Sequence, residues 1–221
     1  KPILLEGNPG VGKTTSVIEI ALRTGHPITR INLSEQTDLA DLYGLDVPLD
    51  ISGTDTIAFG WKEGPFLKAL REGHWIILDE INLAPQSVLE GLNSALDHRA
   101  SIFVPELNRS FHIQSNRSRI FATQNPSSQG SGRKGLPKSF LNRFSRIFIE
   151  PFLERDLQLI CGKSFSNVPH AFIEQVVRVV FKASQAALAP SSGFAVKGAP
   201  WDFNYRDICR IIKLYSYLNF G

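Results

Sequence analysis

Short apolar segments alternate with amphipathic segments over the first two thirds of the chain. "PILLEG" at residues 2–7 predicts a strand, and "TSVIEIALRTG" at 15–25 has its apolar residues at helical spacing. The alternation continues through "HPITRINL", "LKALREG", "HWIILDE", "QSVLEGLNSALDHR", "RIFATQNP" and "SRIFIEPF". Strands that alternate with helices predict an α/β fold with a parallel sheet and helices on both faces.

Two segments interrupt this alternation. Residues 44–64 fit neither a strand period nor a helix period, and we interpret them as an insertion. "SIFVPELNRSFHI" at 101–113 alternates on both sides of a turn-rich centre and predicts a hairpin.

The pattern changes after Pro151. "HAFIEQVVRVVFKASQAAL" at 170–188 and "NYRDICRIIKLYSYL" at 204–218 predict helices, and no further strand signal follows. "APSSGFAVKGAPWDFN" at 189–204 predicts an extended loop. We therefore predict a core over residues 1–150 and a small all-helical domain over 151–221.

Composition narrows the class of protein. The chain has 24 basic and 21 acidic residues, a surplus too small to favour sequence-specific binding to nucleic acid. No apolar run approaches the roughly 20 residues that span a membrane, so no membrane partner is expected. Cys161, Cys209 and the histidines show no metal-ligand spacing, and both thiols are expected to be reduced, as in intracellular proteins. A chain without methionine that begins at a predicted strand is expected to be a fragment of a longer protein.

A glycine-rich loop lies between the first predicted strand and the first predicted helix. Gly7, Gly12, Lys13 and Thr14 satisfy G-x-x-x-x-G-K-[ST] in that setting. Glycines let backbone N–H groups wrap phosphates, the lysine reaches the terminal phosphates, and the threonine hydroxyl takes a Mg²⁺ position. The expected nucleotide-binding residues are Gly7, Asn8, Pro9, Gly10, Val11, Gly12, Lys13, Thr14 and Thr15.

Two carboxylates end the apolar run "WIILDE". Asp79, at the carboxyl end of a strand, can hold the Mg²⁺ shell through water together with Thr14. Glu80 can act as the general base that polarises an attacking water. The alternative is an acidic pair that faces solvent, which the phosphate loop in the same chain disfavours.

These motifs carry a family resemblance. The order "GNPGVGKT", "WIILDE", "FATQNP", "LPKSFLNRF" and "FNYRD" resembles an AAA+ ATPase module over nearly the whole chain. The resemblance implies a P-loop NTPase with a Rossmann-like αβα core, a parallel sheet and a small all-helical lid, with ATP and Mg²⁺ as cofactors. The insertion and the hairpin resemble extra elements of the branch that includes the MoxR-type and dynein-related ATPases.

The resemblance also implies roles for polar residues outside the phosphate loop. Asn125 matches the sensor that orients the attacking water, although an Asn before a proline also forms turns. Arg143 matches the arginine finger that acts in trans on a neighbouring module, with Arg133 and Arg146 as nearby competitors. Arg206 matches the second sensor, and its alternative is an exposed helix arginine.

Three longer stretches resemble more narrowly the giant nuclear ATPases of ribosome assembly. They are "RINLSEQTDLADLYG", "LDEINLAPQSVLEGLNSALDHR" and "GRKGLPKSFLNRF". This resemblance implies six such modules in one polypeptide, which form a ring and release assembly factors from precursors of the large ribosomal subunit in the nucleolus and nucleoplasm. An isolated module would be a monomer with an incomplete site and weak turnover.

Two alternative functions stay open at this point. One is a structural module that holds ATP without cycling, for which Glu80 would be unnecessary. The other is a MoxR-like chaperone or metal-chelatase subunit that forms a homo-hexamer, which the three longer stretches disfavour.

Overall fold

A five-stranded parallel sheet is the centre of one of the two units into which the chain divides. The computed structural model describes residues 1–49, 58–97, 101–112, 117–126, 135–188 and 203–220. The first unit comprises Lys1–Glu6 and Lys13–Phe148, and the second comprises Gly7–Gly12 and Ile149–Gly221. By its contacts, the glycine loop thus groups with the helical region, whereas the predicted division near residue 150 leaves it in the core.

The helices and strands follow the chain in this order. The strands are β1 (Ile3–Glu6), β2 (Ile28–Asn32), β3 (Gly44–Leu49), β4 (Ala58–Glu63), β5 (Trp75–Asp79), β6 (Ser101–Val104), β7 (Arg109–His112), β8 (Ile120–Gln124) and β9 (Ser145–Phe148). The helices are α1 (Lys13–Arg23), α2 (Leu39–Tyr43), α3 (Pro65–Glu72), α4 (Gln86–Leu96), α5 (Lys138–Leu141), α6 (Glu154–Ser164), α7 (His170–Leu188) and α8 (Tyr205–Phe220). Short 3-10 turns lie at Ile81–Leu83 and Pro105–Leu107.

The main sheet has the strand order β2-β5-β8-β1-β9, and all of its pairs are parallel. Strand β5, "WIILD", is buried along its whole length, as expected for an inner strand covered on both faces. Ile76 and Leu78 pack in one core with α3 and α4, while α1 contacts β5 and β8 and buries Val17 and Ala21. Because side chains alternate along a strand, Ile77 points to the face opposite Ile76 and Leu78. The predicted α/β fold with a parallel sheet is confirmed.

The segment 44–64 contains a hairpin that the periodicity did not predict. Strands β3 and β4 pair antiparallel, from Gly44 opposite Glu63 to Leu49 opposite Ala58, and residues 50–57 lie outside the described residues. Apolar side chains stay exposed here, with Phe59 68% exposed and Leu45 44% exposed. Without a contrast between a buried and a solvated face, the alternation that marks a strand is lost.

The second hairpin lies where the alternation predicts one. Strands β6 and β7 pair antiparallel, with Val104 opposite Arg109 across the turn at Pro105–Leu107. Residues 113–116 lie outside the described residues.

The second unit has a helical core of its own. Helices α6, α7 and α8, together with Val168 between α6 and α7, form a buried cluster of Leu157, Cys161, Val168, Ile173, Val176, Val177, Val180, Ile208 and Ile212. Helices α7 and α8 lie where the sequence predicts helices, whereas α6 was not predicted because only two of its side chains are buried. Of the predicted loop at 189–204, only Phe203 and Asn204 lie within the described residues. Within the described part of the chain, no helix is both long and apolar enough to cross a bilayer.

Candidate active site

Lys13 begins helix α1, and its side chain is held within the first unit. The residue is only 8% exposed, and its Nζ donates a 2.7 Å hydrogen bond to Oδ1 of Asn125, just after β8. An ammonium group can only donate, so this contact fixes which end of the amide faces the lysine. The structure thus places two predicted site residues in direct contact.

The other end of the Asn125 amide faces the predicted general base. Its Nδ2 lies 3.4 Å from Oε1 of Glu80 as a hydrogen-bond donor. The backbone carbonyl of Asn125 accepts a 3.1 Å hydrogen bond from Nδ2 of Asn82, in the turn that follows β5. One amide therefore joins Lys13 to Glu80 and is anchored through its own backbone.

Asp79 is the last residue of β5, and its carboxylate receives donors from three other segments. Oδ1 accepts hydrogen bonds from Oγ1 of Thr14, at 3.0 Å, and from Oγ1 of Thr123 in β8. Oδ2 accepts a 2.9 Å hydrogen bond from Nε of Arg30, in the neighbouring strand β2. Thr14 and Asp79, the predicted metal-site pair, are therefore in contact.

The surroundings of Asp79 favour its ionised form. Burial by itself would raise the pKa of Asp79, but the hydrogen bonds from Thr123 and Arg30, the charge of Arg30 and the Thr14 bond together lower it. The group is consequently a carboxylate at neutral pH.

The residues at this position fit a hard divalent cation. The hydroxyl of Thr14 donates its proton to Asp79, which leaves lone pairs of the hydroxyl oxygen available as ligands. Mg²⁺ prefers such oxygen ligands and keeps several of its own waters. Thr14 and Asp79 are the residues that would hold it.

Glu80 has an unusual backbone conformation. Its φ of 56° lies in the left-handed region, and the residue starts the 3-10 turn at Ile81–Leu83. Its backbone N–H donates a 3.1 Å hydrogen bond to Oγ1 of Thr123. Non-glycine residues in this region are strained and occur preferentially at functional sites, where the surrounding structure holds them. The conformation supports a functional role for Glu80.

The glycine loop Gly7–Gly12 has a backbone that residues with a side chain rarely adopt or cannot fit. Gly10 and Gly12 have φ values of 78° and 84°. A Cβ atom at Gly7 would lie 2.6 Å from the carbonyl oxygen of Ile149. A Cβ atom at Gly10 would lie 3.0 Å from the side chain of Asn204, at the start of α8.

The remaining predicted nucleotide-binding residues have unequal exposure. Asn8 and Pro9 are half-buried, Val11 is buried, and Thr15 is exposed on the first turn of α1.

Arg143, the predicted finger in trans, is paired inside the first unit. Its Nη1 lies 3.4 Å from Oδ2 of Asp97 and donates a 3.3 Å hydrogen bond to the carbonyl of Asn93. Its buried Nε has no hydrogen-bond partner among the residues that the structure describes. The guanidinium is thus held at the end of α4, and its action on a neighbour stays a prediction.

The other candidate arginines have different settings. Arg146 is exposed on β9, with Nη1 3.7 Å from Oε1 of Glu6. Arg133 lies outside the described residues. Arg206 is exposed in the first turn of α8, where its backbone N–H donates to the side chain of Asn204. Its role as a second sensor also stays a prediction.

Three side chains of the first-unit network were not assigned from the sequence: Arg30, Asn82 and Thr123. The available signals were a charged residue inside the strand "ITRIN" and a threonine near the end of the buried strand "IFATQ". Neither residue can be assigned to the site from the sequence, because its partner lies on a neighbouring strand that only the fold identifies. Among the described residues, no three His, Cys, Asp or Glu side chains gather as a metal site, and both cysteines are free thiols.

Comparison with known families identifies this arrangement. The model of the AAA domain of the dynein-related subfamily matches residues 2–144. The chain belongs to the dynein-related subfamily of AAA domains. The model of the midasin AAA lid domain matches residues 156–220, which form the C-terminal part of the chain.

Individual relatives point to one protein. The AAA domain is 50% identical over 210 residues to midasin of Dictyostelium discoideum, covering 95% of this chain and 4% of that protein. It is 47% identical over 216 residues to midasin of Giardia intestinalis, covering 98% of this chain and again 4% of the relative. The chain therefore spans a small fraction of the relatives it matches, and the narrower resemblance seen in the sequence is confirmed as a similarity to midasin.

A solved structure supports the fold. The AAA domain matches a crystal structure of a provisionally assigned ATPase from Cytophaga hutchinsonii with a TM-score of 0.56 and 22% identity. The match covers 84% of this chain and 59% of the other. At this identity the likeness concerns the fold alone, and the predicted AAA architecture is confirmed.

Proposed function

We propose that this AAA domain binds ATP together with Mg²⁺ and hydrolyses the bond to the terminal phosphate. One observation carries the proposal. Lys13, Thr14, Asp79, Glu80 and Asn125 form two hydrogen-bonded groups at the carboxyl ends of β5 and β8, in one unit. Ligands of parallel α/β sheets bind outside the carboxyl ends of the strands.

Each residue type supplies a different part of the reaction. The ammonium group of Lys13 would bind the terminal phosphates, with Asn125 holding it in place. Mg²⁺, when bound, would supply positive charge at the phosphate oxygens, and Thr14 and Asp79 would hold it. A carboxylate oxygen of Glu80 would accept the proton of the attacking water. The Asn125 amide, 3.4 Å from Glu80, would orient that carboxylate.

The proposal is tested with two substitutions that separate binding from hydrolysis. Lys13→Ala is expected to weaken ATP binding in calorimetry, because the cation for the phosphates is lost. Glu80→Gln is expected to bind ATP normally and to lower hydrolysis at this one site at least about 100-fold, since general base catalysis typically contributes that much. Glu90→Gln, on the exposed face of α4, is the matched control with the same chemical change.

The outcomes distinguish this proposal from a module that holds ATP without cycling. If Glu80→Gln leaves the hydrolysis rate of the longer polypeptide unchanged, the residue is not the base and the structural alternative is favoured. We expect weak hydrolysis from the isolated chain, because the arginine of a neighbouring module would be missing.

The similarity to midasin supports a finer proposal about the longer polypeptide. This module would be one member of a ring of AAA modules. The ring would release assembly factors from precursors of the large ribosomal subunit in the nucleus. Arg143 would then act on the nucleotide of the neighbouring module. Glu80→Gln in the longer polypeptide is expected to leave assembly factors on purified precursors, and unchanged release would contradict the proposal.

The finger assignment is tested in the same longer polypeptide. Arg143→Ala is expected to lower ATP hydrolysis, whereas Arg146→Ala, a change of the same charge on an exposed strand residue, is expected to have little effect. The reverse result would identify Arg146 as the arginine finger in place of Arg143.

A further inference from the structure

The carboxylate of Asp79 already has a donor at each of its acceptor sites. A carboxylate offers about four lone-pair sites, two on each oxygen. Oδ1 accepts hydrogen bonds from the hydroxyls of Thr14 and Thr123, and Oδ2 accepts from Nε and Nη2 of Arg30, at 2.9 and 2.5 Å. A water in the shell of a cation therefore finds no open acceptor on Asp79 while Arg30 is in place.

The three donor residues differ in how easily they can leave. Thr123 is 1% exposed, and its hydroxyl oxygen also accepts the backbone N–H of Glu80, so its proton is directed to Asp79. Thr14 can keep donating its proton while its oxygen binds a cation. The side chain of Arg30 is 49% exposed, so water can solvate its guanidinium once it leaves the carboxylate. Arg30 is the donor that can be exchanged.

We propose that Arg30 is a positioning residue that occupies Asp79 in the metal-free site and is displaced when Mg²⁺ enters with nucleotide. The two N–H groups of Arg30 keep the carboxylate oriented in the absence of a metal. Displacing them opposes Mg²⁺ binding, because a charged hydrogen-bonded pair has to be broken first. This inference rests on the proposed nucleotide site, but it concerns the metal dependence of binding and not hydrolysis.

The test measures how Mg²⁺ changes the affinity of the chain for ADP. ADP binding is measured by calorimetry in EDTA and at increasing Mg²⁺, for the wild type, Arg30→Ala and Arg30→Lys. Arg30→Ala is expected to lower the Mg²⁺ concentration at the midpoint by about three- to tenfold and to leave the affinity in EDTA unchanged. Arg30→Lys keeps the charge but loses the two-pronged contact, so its midpoint is expected between the two.

Arg23→Ala is the matched control. Arg23 is an exposed arginine on α1 that pairs with Glu19, so its removal changes the net charge equally without touching Asp79. Its midpoint is expected to equal that of the wild type. If the wild type binds Mg²⁺ and ADP together but the midpoint of Arg30→Ala is unchanged or raised, the proposed role of Arg30 is wrong and the proposed nucleotide site is unaffected. A wild type that binds no ADP overturns the proposed function as well.

A spectroscopic measurement on the wild-type chain does not depend on a variant that folds. The Nε–H resonance of Arg30, assigned by its loss in Arg30→Lys, is expected to show slow exchange with solvent in the chain with ADP and EDTA. Addition of Mg²⁺ is expected to accelerate that exchange and shift the resonance. An unchanged resonance at saturating Mg²⁺ would show that Arg30 stays on Asp79.

Discussion

Asn125 Oδ1 accepts a 2.7 Å hydrogen bond from Lys13 Nζ, although the two residues lie 112 positions apart in the chain. The contact forms because β8, which ends just before Asn125, pairs directly with β1, which precedes the glycine loop and α1. The same amide reaches Glu80 after β5, the other neighbour of β8. A substitution at Asn125 is therefore expected to affect both Lys13, the predicted phosphate ligand, and Glu80, the predicted base.

We expect Asn125→Ala to lower both the stability of the chain and its hydrolysis of ATP. The loss of a hydrogen bond to the ammonium of Lys13 is expected to lower the free energy of unfolding by about 1.5–3 kcal/mol. Hydrolysis is expected to fall about tenfold or more, because Glu80 loses a donor that orients it. Urea unfolding of the chain and ATP turnover of the longer polypeptide check the two effects.

Asn82→Ala serves as the comparison for that experiment. It removes the side chain that donates to the carbonyl of Asn125 and leaves the amide of Asn125 in place. Its effect on hydrolysis is expected to be smaller than that of Asn125→Ala. Wild-type turnover in Asn125→Ala would contradict a role of the amide in the reaction.

Because the backbone of Glu80 is left-handed, we expect a glycine variant at this position to be more stable than an alanine variant. Glycine adopts this conformation without the strain of a side chain, so Glu80→Gly is expected to be more stable than Glu80→Ala by about 0.5–1 kcal/mol. Both variants are expected to lose hydrolysis. Urea unfolding measures the difference.

Glu90, on the exposed face of helix α4, provides the opposite case. There Glu90→Gly is expected to be less stable than Glu90→Ala by about 1 kcal/mol, because glycine is unfavourable within a helix. If the order at Glu80 matches the order at Glu90, the strained conformation of Glu80 does not persist in solution.

The lowered pKa of Asp79 predicts an acid-sensitive contribution to stability. The folded protein favours the ionised form, so this contribution is complete above the ordinary pKa of 3.8 and is lost as the pH falls through the lower pKa of the folded state. The wild type is expected to lose stability more steeply than Asp79→Asn as the pH falls below 3.8. Thermal unfolding across this range measures the slopes, and equal slopes would contradict the ionic arrangement at Asp79.

The two cysteines of the helical unit are expected to react at different rates. Cys161 is fully buried, and burial together with Cys209 raises its pKa to about 11, so very little thiolate is available at pH 8. Cys209 is half-buried. Labelling with N-ethylmaleimide, followed by mass spectrometry, is expected to modify Cys209 first and Cys161 only after unfolding.

Two controls accompany the labelling experiment. Cys209→Ser is expected to leave Cys161 unreactive in the native chain, and urea is expected to make the reactivity of the two thiols equal. Equal native rates would show that the core around Cys161 opens readily.

The candidate site could be predicted in part because some of its signals are local. The glycine loop with Lys13 and Thr14 is one contiguous segment, and Asp79 and Glu80 follow directly from one buried strand. Asn125 was assigned only through the family resemblance, since an Asn before a proline is equally typical of a turn. Arg30 and Thr123 were missed because their roles arise from pairing between strands that are distant in the chain.

The sequence by itself determined the five strands of the main sheet, the helices α1, α3, α4, α7 and α8, and the residue types available for phosphate and metal chemistry. Hydrophobic periodicity and the glycine loop are local properties, so they can be recognised without knowing the fold. Only the tertiary structure decided the strand order β2-β5-β8-β1-β9, the β3–β4 hairpin and the partners of Asp79. The physical reason is that hydrogen bonds between side chains such as Arg30 and Asp79 require two strand ends to lie side by side, and that neighbourhood is set by packing of the whole sheet.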